Sequence, residues 1–386
     1  SKGFAVGGAL LAAGVVAAVS TTAKLEARLS AVQAVSNATA GETDLLRDKA
    51  LQLGADTAFS ASESASAMEE LVKAGLSVED VLNGAADATV ALAAAGGVEL
   101  TTAAEIAAHA MNVFALSAED MPKIADLVAG AAYAAAVDVA DFAMSRQQSG
   151  AVAGLVGLDF EDLALAITAM GNAGIKGSDA GTSIKTFLMR LEPSTAKSTS
   201  MMERLGIITE ETGNKFFDAA GNAKDMADIS GVLADALAGQ TREQKLATLN
   251  TLFGSDAIRA AAVIADEGAA GFDKLGTALG SISAAEIAEI RLDNLAGDME
   301  KLSGSFETLL ITSGSLFTDV LRSLVQGATS LVDALAEIDG DDIADFMEPA
   351  ARFGRALADS WDDLYDAGVN VAEILGDLID AGKPVA

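Results

Sequence analysis

Three groups of residues in this chain carry side chains from which chemistry is built. The first is the run Gly174-Ile-Lys-Gly-Ser-Asp-Ala-Gly-Thr182, where a lysine and two hydroxyls sit among glycines. That composition suits a phosphate, but a phosphate-binding loop needs its lysine directly after the last glycine, directly before Ser or Thr, at the end of a strand. Here Lys176 precedes Gly177 and no strand precedes the run, so nucleotide binding is not expected. The second group is Glu105-Ile-Ala-Ala-His109, which puts a carboxylate and an imidazole four residues apart on one helix face. Such a pair can ligate a metal, yet His109 is the single histidine and there is no cysteine. A partly buried helix histidine is the simpler reading, and a Ser-His-Asp triad would have this one base only. The third group is acidic: Asp339, Asp341, Asp342 and Asp345 beside Gly340, then Asp359, Asp362, Asp363 and Asp366 around Trp361. A calcium loop requires alternating ligands closed by a glutamate, a frame that Asp-Gly-Asp-Asp lacks, so these residues read as a solvated helix face. No other acids are marked by the surroundings an acid–base site needs. No catalytic, cofactor-binding or metal-binding residue is therefore expected, and the chain does not read as an enzyme.

The elements around these residues follow from composition. Of 386 residues 51% are apolar but only 4% aromatic, so the apolar mass is alanine, leucine and valine, and there are 4 prolines. Alanine has the best helix propensity, and small side chains let helices approach closely. The fold class is all-α: short helical hairpins followed by longer amphipathic, coiled-coil-like helices, with a small hairpin near 207–222 as the one candidate β element. Without cysteine there are no disulfides or thiolate zinc sites. The formal charge of −31, with no basic patch, argues against a nucleic-acid-binding surface.

Helix starts pair a small polar cap with an acid three residues on at Ser60-Ala-Ser-Glu63, Ser77-Val-Glu-Asp80, Thr102-Ala-Ala-Glu105, Ser117-Ala-Glu-Asp120 and Asp159-Phe-Glu-Asp162. Gly54, Gly75, Gly96, Gly97 and Gly157 close the preceding segments. The expectation is a stack of helical hairpins between about Thr39 and Ala270, related to an α-solenoid in local build but without a strict repeat. Within it, Met170–Leu191 reads as a glycine-rich turn (Gly171, Gly174, Gly177) into a helix capped by Ser178 or Asp179. Ile184, Phe187, Leu188 and Leu191 form that helix's buried face, and Glu192-Pro193 ends it. Residues 193–225 interrupt the pattern, with a turn signal at Ala-Gly-Asn222. Helices resume at Met226–Leu237, Arg242–Phe253 and Asp256–Asp266.

From Ala284 the pattern changes. Leu292, Leu295, Met299, Leu302, Phe306 and Leu309, then Leu316, Val320 and Leu324, form a stripe with mainly three-four spacing, a candidate self-association surface. An ordinary amphipathic helix packed on its own domain explains the periodicity equally. At the other end, Gly3 to Ala23 holds no charged side chain and is long enough to span a bilayer. Phe4, Val6, Leu10, Leu11, Val15, Val16 and Val19 are its candidate membrane-facing residues, although Ala and Gly dominate and a helix buried in a bundle fits too. The run continues without a break into a charged amphipathic segment, unlike a signal peptide, and the sequence reads as a section of a longer chain. The domain organisation expected is 1–38 (apolar helix running into an amphipathic one), 39–283 (helical-hairpin core), 284–338 (coiled-coil-like helices) and 339–386 (acidic helical tail).

Several segments together resemble a known family. Arg47-Asp-Lys-Ala-Leu-Gln-Leu-Gly54, Thr57-Ala-Phe-Ser-Ala-Ser-Glu63 and Met68-Glu-Glu-Leu-Val-Lys-Ala-Gly-Leu-Ser77 are similar to the core region of phage tail tape measure proteins. The likeness continues through Asn172–Thr182, Thr251-Leu-Phe-Gly-Ser-Asp-Ala257 and Arg291-Leu-Asp-Asn-Leu-Ala-Gly-Asp298, in the same order, over roughly residues 25–336. The resemblance implies a structural protein that fills the tail tube, governs tail length during assembly and is released at infection to help DNA cross the cell envelope. It implies no cofactor. The partners implied are other copies of itself in a few-fold oligomer, tail tube and tail tip or baseplate proteins, tail assembly chaperones, and the host membrane after release. No sequence-specific nucleic acid binding is implied, and the expected location is the virion, in the lumen of the tail and tail tip, then the host cell membrane. The competing reading is a membrane-active, pore-forming or toxin-like helical protein, suggested by the apolar run and the Ala/Gly-rich helices.

Overall fold

A computed structural model describes residues 20–135, 137–308 and 311–312. The described residues are helical almost throughout and form two compact units: 32–46 with 66–299, and 20–31, 47–65, 300–308 and 311–312.

Most predicted helix starts form as written. Glu63 accepts the Ser60 N–H at 2.8 Å and returns its own N–H to the Ser60 hydroxyl, opening α3 (Ala61–Lys73). Asp80 accepts from Ser77 at 3.0 Å, Asp120 accepts from Ser117 at 2.8 Å, and Asp159 accepts from the Asp162 N–H at 2.8 Å. These contacts satisfy N–H groups that a helix start leaves without partners. Thr102 and Glu105 do not cap a helix. The αL residue Gly97 ends one helix early enough for α6 (Leu100–Phe114) to begin two residues before Thr102, with Leu100 buried. Further boxes form at Thr39–Glu42, Thr195–Ser198, Thr241–Gln244 and Ser283–Glu286. The backbone N–H groups of Thr39, Ser117 and Ser283 hold the Glu42, Asp120 and Glu286 carboxyls below their ordinary range.

In the larger unit the centre is α9 (Phe160–Asn172), whose side chains from Leu163 to Met170 are all buried. Around it pack α7 (Met121–Ala134), α8 (Val139–Leu155), α10 (Gly177–Met189), α12 (Met226–Ala236) and α13 (Arg242–Leu279). Beside the neighbouring pair α12 and α13, the most extensive contacts skip along the chain. Helix α8 lies on α10, α10 on α13, and α14 (Ala284–Leu292) returns to α5 (Ala86–Gly96). This differs from the expected solenoid-like stack, in which each hairpin would touch only its neighbours. Small residues explain it, because helices this poor in bulk can cross backbone to backbone. A Cβ on Gly130 would sit 2.5 Å from the Leu279 carbonyl oxygen, and one on Gly181 would collide with the Ser145 carbonyl oxygen. Buried hydroxyls join the crossings: Ser145 Oγ donates to the Gly177 carbonyl at 2.8 Å, and Ser183 Oγ donates to that of Asp256 at 2.9 Å. Aromatic rings pair in the core, Phe187 against Phe253 at 4.9 Å and Phe114 against Phe160 at 5.5 Å between centroids.

The hairpin near 207–222 is present. Strand β1 (Ile208–Thr209) pairs antiparallel with β2 (Gly213–Asn214), Ile208 opposite Asn214, and a further bridge joins Phe217 to Ala223. Asp218 accepts the Ala220 and Asn222 N–H groups at 2.8 Å each, closing the Ala-Gly-Asn turn. Phe216 anchors the loop in the core, and Asn214 ties it to the Leu191 carbonyl at 2.9 Å. The expected interruption between Phe253 and Asp256 also appears, as Gly254 at φ 76°, ψ −179°, with a second one at Gly268.

In the smaller unit, residues 20–31 and 47–65 pack with 300–308 and 311–312. Gly54 and Gly304 cross so closely that a Cβ on Gly304 would stand 2.8 Å from the Gly54 carbonyl oxygen. Gly54 thus does not end a helix as expected, because α2 (Ala40–Asp56) runs past it. Glu307 accepts from Ser62 at 2.9 Å, and Thr22 donates to the Ile311 carbonyl at 3.2 Å.

Candidate functional site

Met170–Leu191 folds as the turn from α9 to α10. The Ile175 N–H donates to the Met170 carbonyl at 2.9 Å, with Gly174 at φ 79° supplying the left-handed residue that this helix ending needs. The expected caps are not formed: α10 begins at Gly177 after an extended Lys176, without any side-chain cap. Asp179 instead faces Arg259, which grips both carboxylate oxygens at 2.5 and 2.6 Å. This fork-to-fork pair links α10 to α13 and holds the Asp179 carboxyl below its ordinary range. Ile184, Phe187, Leu188 and Leu191 are all buried, while Lys176 and Ser178 are exposed. The stretch that looked most like a ligand loop is a turn between two core helices.

Glu105 and His109 do lie on one face of α6, but both are exposed, so His109 is not the partly buried histidine expected. They border a groove of about 430 Å³ between α6 and α8, also lined by Thr102, Val113, Arg146 and Gln147. Arg146 went unnoticed in the sequence because it sits in an ordinary helical run. In the structure it is only 7% exposed and its Nε has no hydrogen-bond partner. Burial alone pulls its pKa down.

Asp162 is another residue without a sequence signal beyond its cap box. Its Oδ1 accepts the Met226 N–H at 2.8 Å, so an acid in the first turn of α9 also serves the first turn of α12. Burial, then the charges of Asp159 and Asp225, push its carboxyl up to about 7, against the lowering effect of the Met226 hydrogen bond. The ion pairs Lys123–Glu161 at 2.8 Å and Lys224–Asp228 at 3.7 Å flank this cluster.

The apolar stripe is broken after Leu292. Asn294 Oδ1 accepts the Ala296 and Gly297 N–H groups at 3.1 Å each and starts a new helix, residues 295–308. Leu292 is half-buried at the end of α14, whereas Leu295, Met299, Leu302 and Phe306 are 77%, 64%, 68% and 51% exposed. That face is apolar and uncovered. Leu309, Leu316, Val320 and Leu324 lie outside the described residues, as do Phe4, Val6, Leu10, Leu11, Val15, Val16 and Val19, and the acidic segment 339–386.

Among the described residues no single helix is long and apolar enough to cross a membrane. Two apolar helix pairs, Val78–Gly96 with Leu100–Phe114 and Ala118–Ala134 with Val139–Leu155, bend by 118° and 117°. No group of acids and histidine among the described residues could hold a metal ion.

A profile of the phage-related minor tail protein family matches residues 47–254. The chain is 32% identical over 354 residues to the tape measure protein of Pneumococcus phage Dp-1, which covers 88% of this chain and 30% of that relative. It is 29% identical over 318 residues to the probable tape measure protein of Escherichia phage P2, covering 80% of this chain and 38% of the relative. The chain thus spans about a third of the length of the curated relatives it matches. No solved structure matches it.

Proposed function

The chain belongs to the phage-related minor tail proteins, with tape measure proteins as its relatives, and from that premise we propose that it forms the folded core module of a tail tape measure protein. As a tail protein it is a structural component of the virion and associates with other tail proteins. The single observation that carries the finer reading is the likeness to a tape measure protein across 88% of the chain. In this reading the whole protein fills the tail tube, governs tail length during assembly and leaves at infection to help DNA cross the envelope. Its partners are a few further copies of itself, the tail tube, tip and baseplate proteins, and assembly chaperones.

A ruler works by extended length, and the larger unit is built the opposite way, with α14 folded back onto α5. The module is therefore assigned to assembly contacts, and length-setting to extended helical segments elsewhere in the full-length protein. Deleting α11 (Ala196–Arg204) and the hairpin that follows, residues 196–222, tests this. Tails measured by electron microscopy should keep their native length. A ruler made of these residues would shorten the tail by about 40 Å at helical rise, which would overturn the assignment.

Self-association is assigned to the exposed face of Leu295, Met299, Leu302 and Phe306, and by sequence spacing alone to Leu309, Leu316, Val320 and Leu324. Membrane contact after release is assigned to Gly3–Ala23. A synthetic peptide of that segment should partition into liposomes, and its failure to do so removes the membrane role. The pore-former reading has no comparable support beside the family relationship.

A further inference from the structure

We propose that the groove between α6 and α8 is a carboxylate-binding site in which Arg146 holds the anion. Arg146 lines this groove, is 7% exposed, and has a buried Nε without a hydrogen-bond partner. Among the described residues it joins no ion pair, and no carboxylate contributes to its perturbed pKa. An unpaired buried cation is among the costliest groups a fold can hold, so such residues are paired, or are kept for a ligand that pairs them. The aliphatic stem of Arg146 packs beside Gly150, with Cγ 3.7 Å from where a Cβ on that glycine would stand, so packing accounts for the stem and leaves the buried Nε without a role.

The surroundings select the ligand. Arg146 is the only Lys or Arg among the lining residues, so the site offers one positive charge. A guanidinium presents parallel N–H groups that match the two oxygens of one carboxylate. A phosphate carries more charge and three acceptor oxygens, and is commonly bound by several cations or a helix N-terminus. Glu105 at the groove's edge further disfavours a dianion, whereas one carboxylate neutralises Arg146 and leaves Glu105 in water. Thr102, His109 and Gln147 supply further polar groups, and Val113 and Met144 supply apolar walls for the carbon chain that bears the acid. The bearer is either a small organic acid or an acidic side chain of another protein molecule.

The single histidine makes the test direct, because His109 lines the same groove and its ring-proton signal in an NMR spectrum needs no assignment among several. The full 386-residue chain is titrated with acetate, inorganic phosphate and chloride at one ionic strength. Acetate should displace the His109 resonance saturably, and chloride should not. In Arg146→Met the half-saturating acetate concentration should rise at least about tenfold, as loss of a charge-assisted bidentate bond requires. Arg146→Lys, which keeps the charge but loses the fork, should fall between. No saturable response of the native chain to acetate overturns the proposal whatever the variants do. So does an equal response in Arg146→Met, or a response to phosphate alone. Without acetate, a His109 shift that grows with protein concentration and vanishes in Arg146→Met supports the site and places the carboxylate on a second copy. A concentration-independent signal together with the acetate response supports the site with a free acid or a different protein as the source.

Discussion

Replacing Asp162 with asparagine should stabilise the protein at alkaline pH and leave it unchanged in acid. The Asp162 carboxyl is pushed up to about 7 by burial and by its acidic neighbours Asp159 and Asp225, against about 3.9 in an unfolded chain. Between those pH values the folded state binds the proton and the unfolded state does not, so this group's contribution to stability falls as pH rises from about 4 to about 7. Taken whole, that difference corresponds to about 4 kcal/mol. Asp162 keeps part of its surface in water, which screens the penalty, and about 2 kcal/mol is expected above pH 8. Asparagine mimics the protonated acid at every pH. Its carbonyl oxygen can still accept the Met226 N–H, and its backbone N–H still donates to Asp159, so neither helix start loses a partner. Chemical denaturation followed by circular dichroism, for native protein and Asp162→Asn at about pH 8 and about pH 4, measures the effect. Because the same remaining carboxyls titrate in both proteins, the difference between the two isolates position 162. A variant less stable than native at pH 8, or an identical difference at both pH values, would refute the reasoning.

Gly181→Ala places a methyl group against the Ser145 carbonyl where α10 crosses α8, and should cost about 1–3 kcal/mol in a thermal melt. Gly41→Ala, with nothing within 4 Å of the new methyl group, should instead stabilise slightly, by about 0.5 kcal/mol, so equal effects at the two sites would contradict the packing account. Ser283→Ala removes the hydroxyl that accepts the Glu286 N–H at the start of α14, and denaturant titration should show a loss of about 1 kcal/mol. Serine at Leu295, Met299, Leu302 and Phe306 together should shift sedimentation towards the monomer while leaving the melt of the larger unit unchanged. Coincident loss of folding would mean that the stripe packs internally.

Local structure was largely readable from the sequence because it depends on contacts three or four residues apart. The cap boxes at Ser60, Ser77, Ser117 and Asp159, the break after Phe253, the turn at Ala-Gly-Asn222 and the buried face Ile184–Phe187–Leu188 all follow from side-chain chemistry and periodicity in one short window. The all-α class followed likewise from alanine content and the scarcity of proline. Competing starts were not readable. Thr102 is as good a cap as Ser117 by type, and only the position where α5 ends made Leu100 the first helical residue. The same holds for Asp179, whose partner Arg259 lies eighty positions away. Tertiary structure alone decided which helices meet, since glycine and alanine faces differ little in hydrophobicity and become specific only when two backbones come together, as at Gly181 and Gly130. It also decided the electrostatics. Asp162 and Arg146 are ordinary helical residues in the sequence, and tertiary packing takes their charges out of water, which is the leading cause of the shift in each.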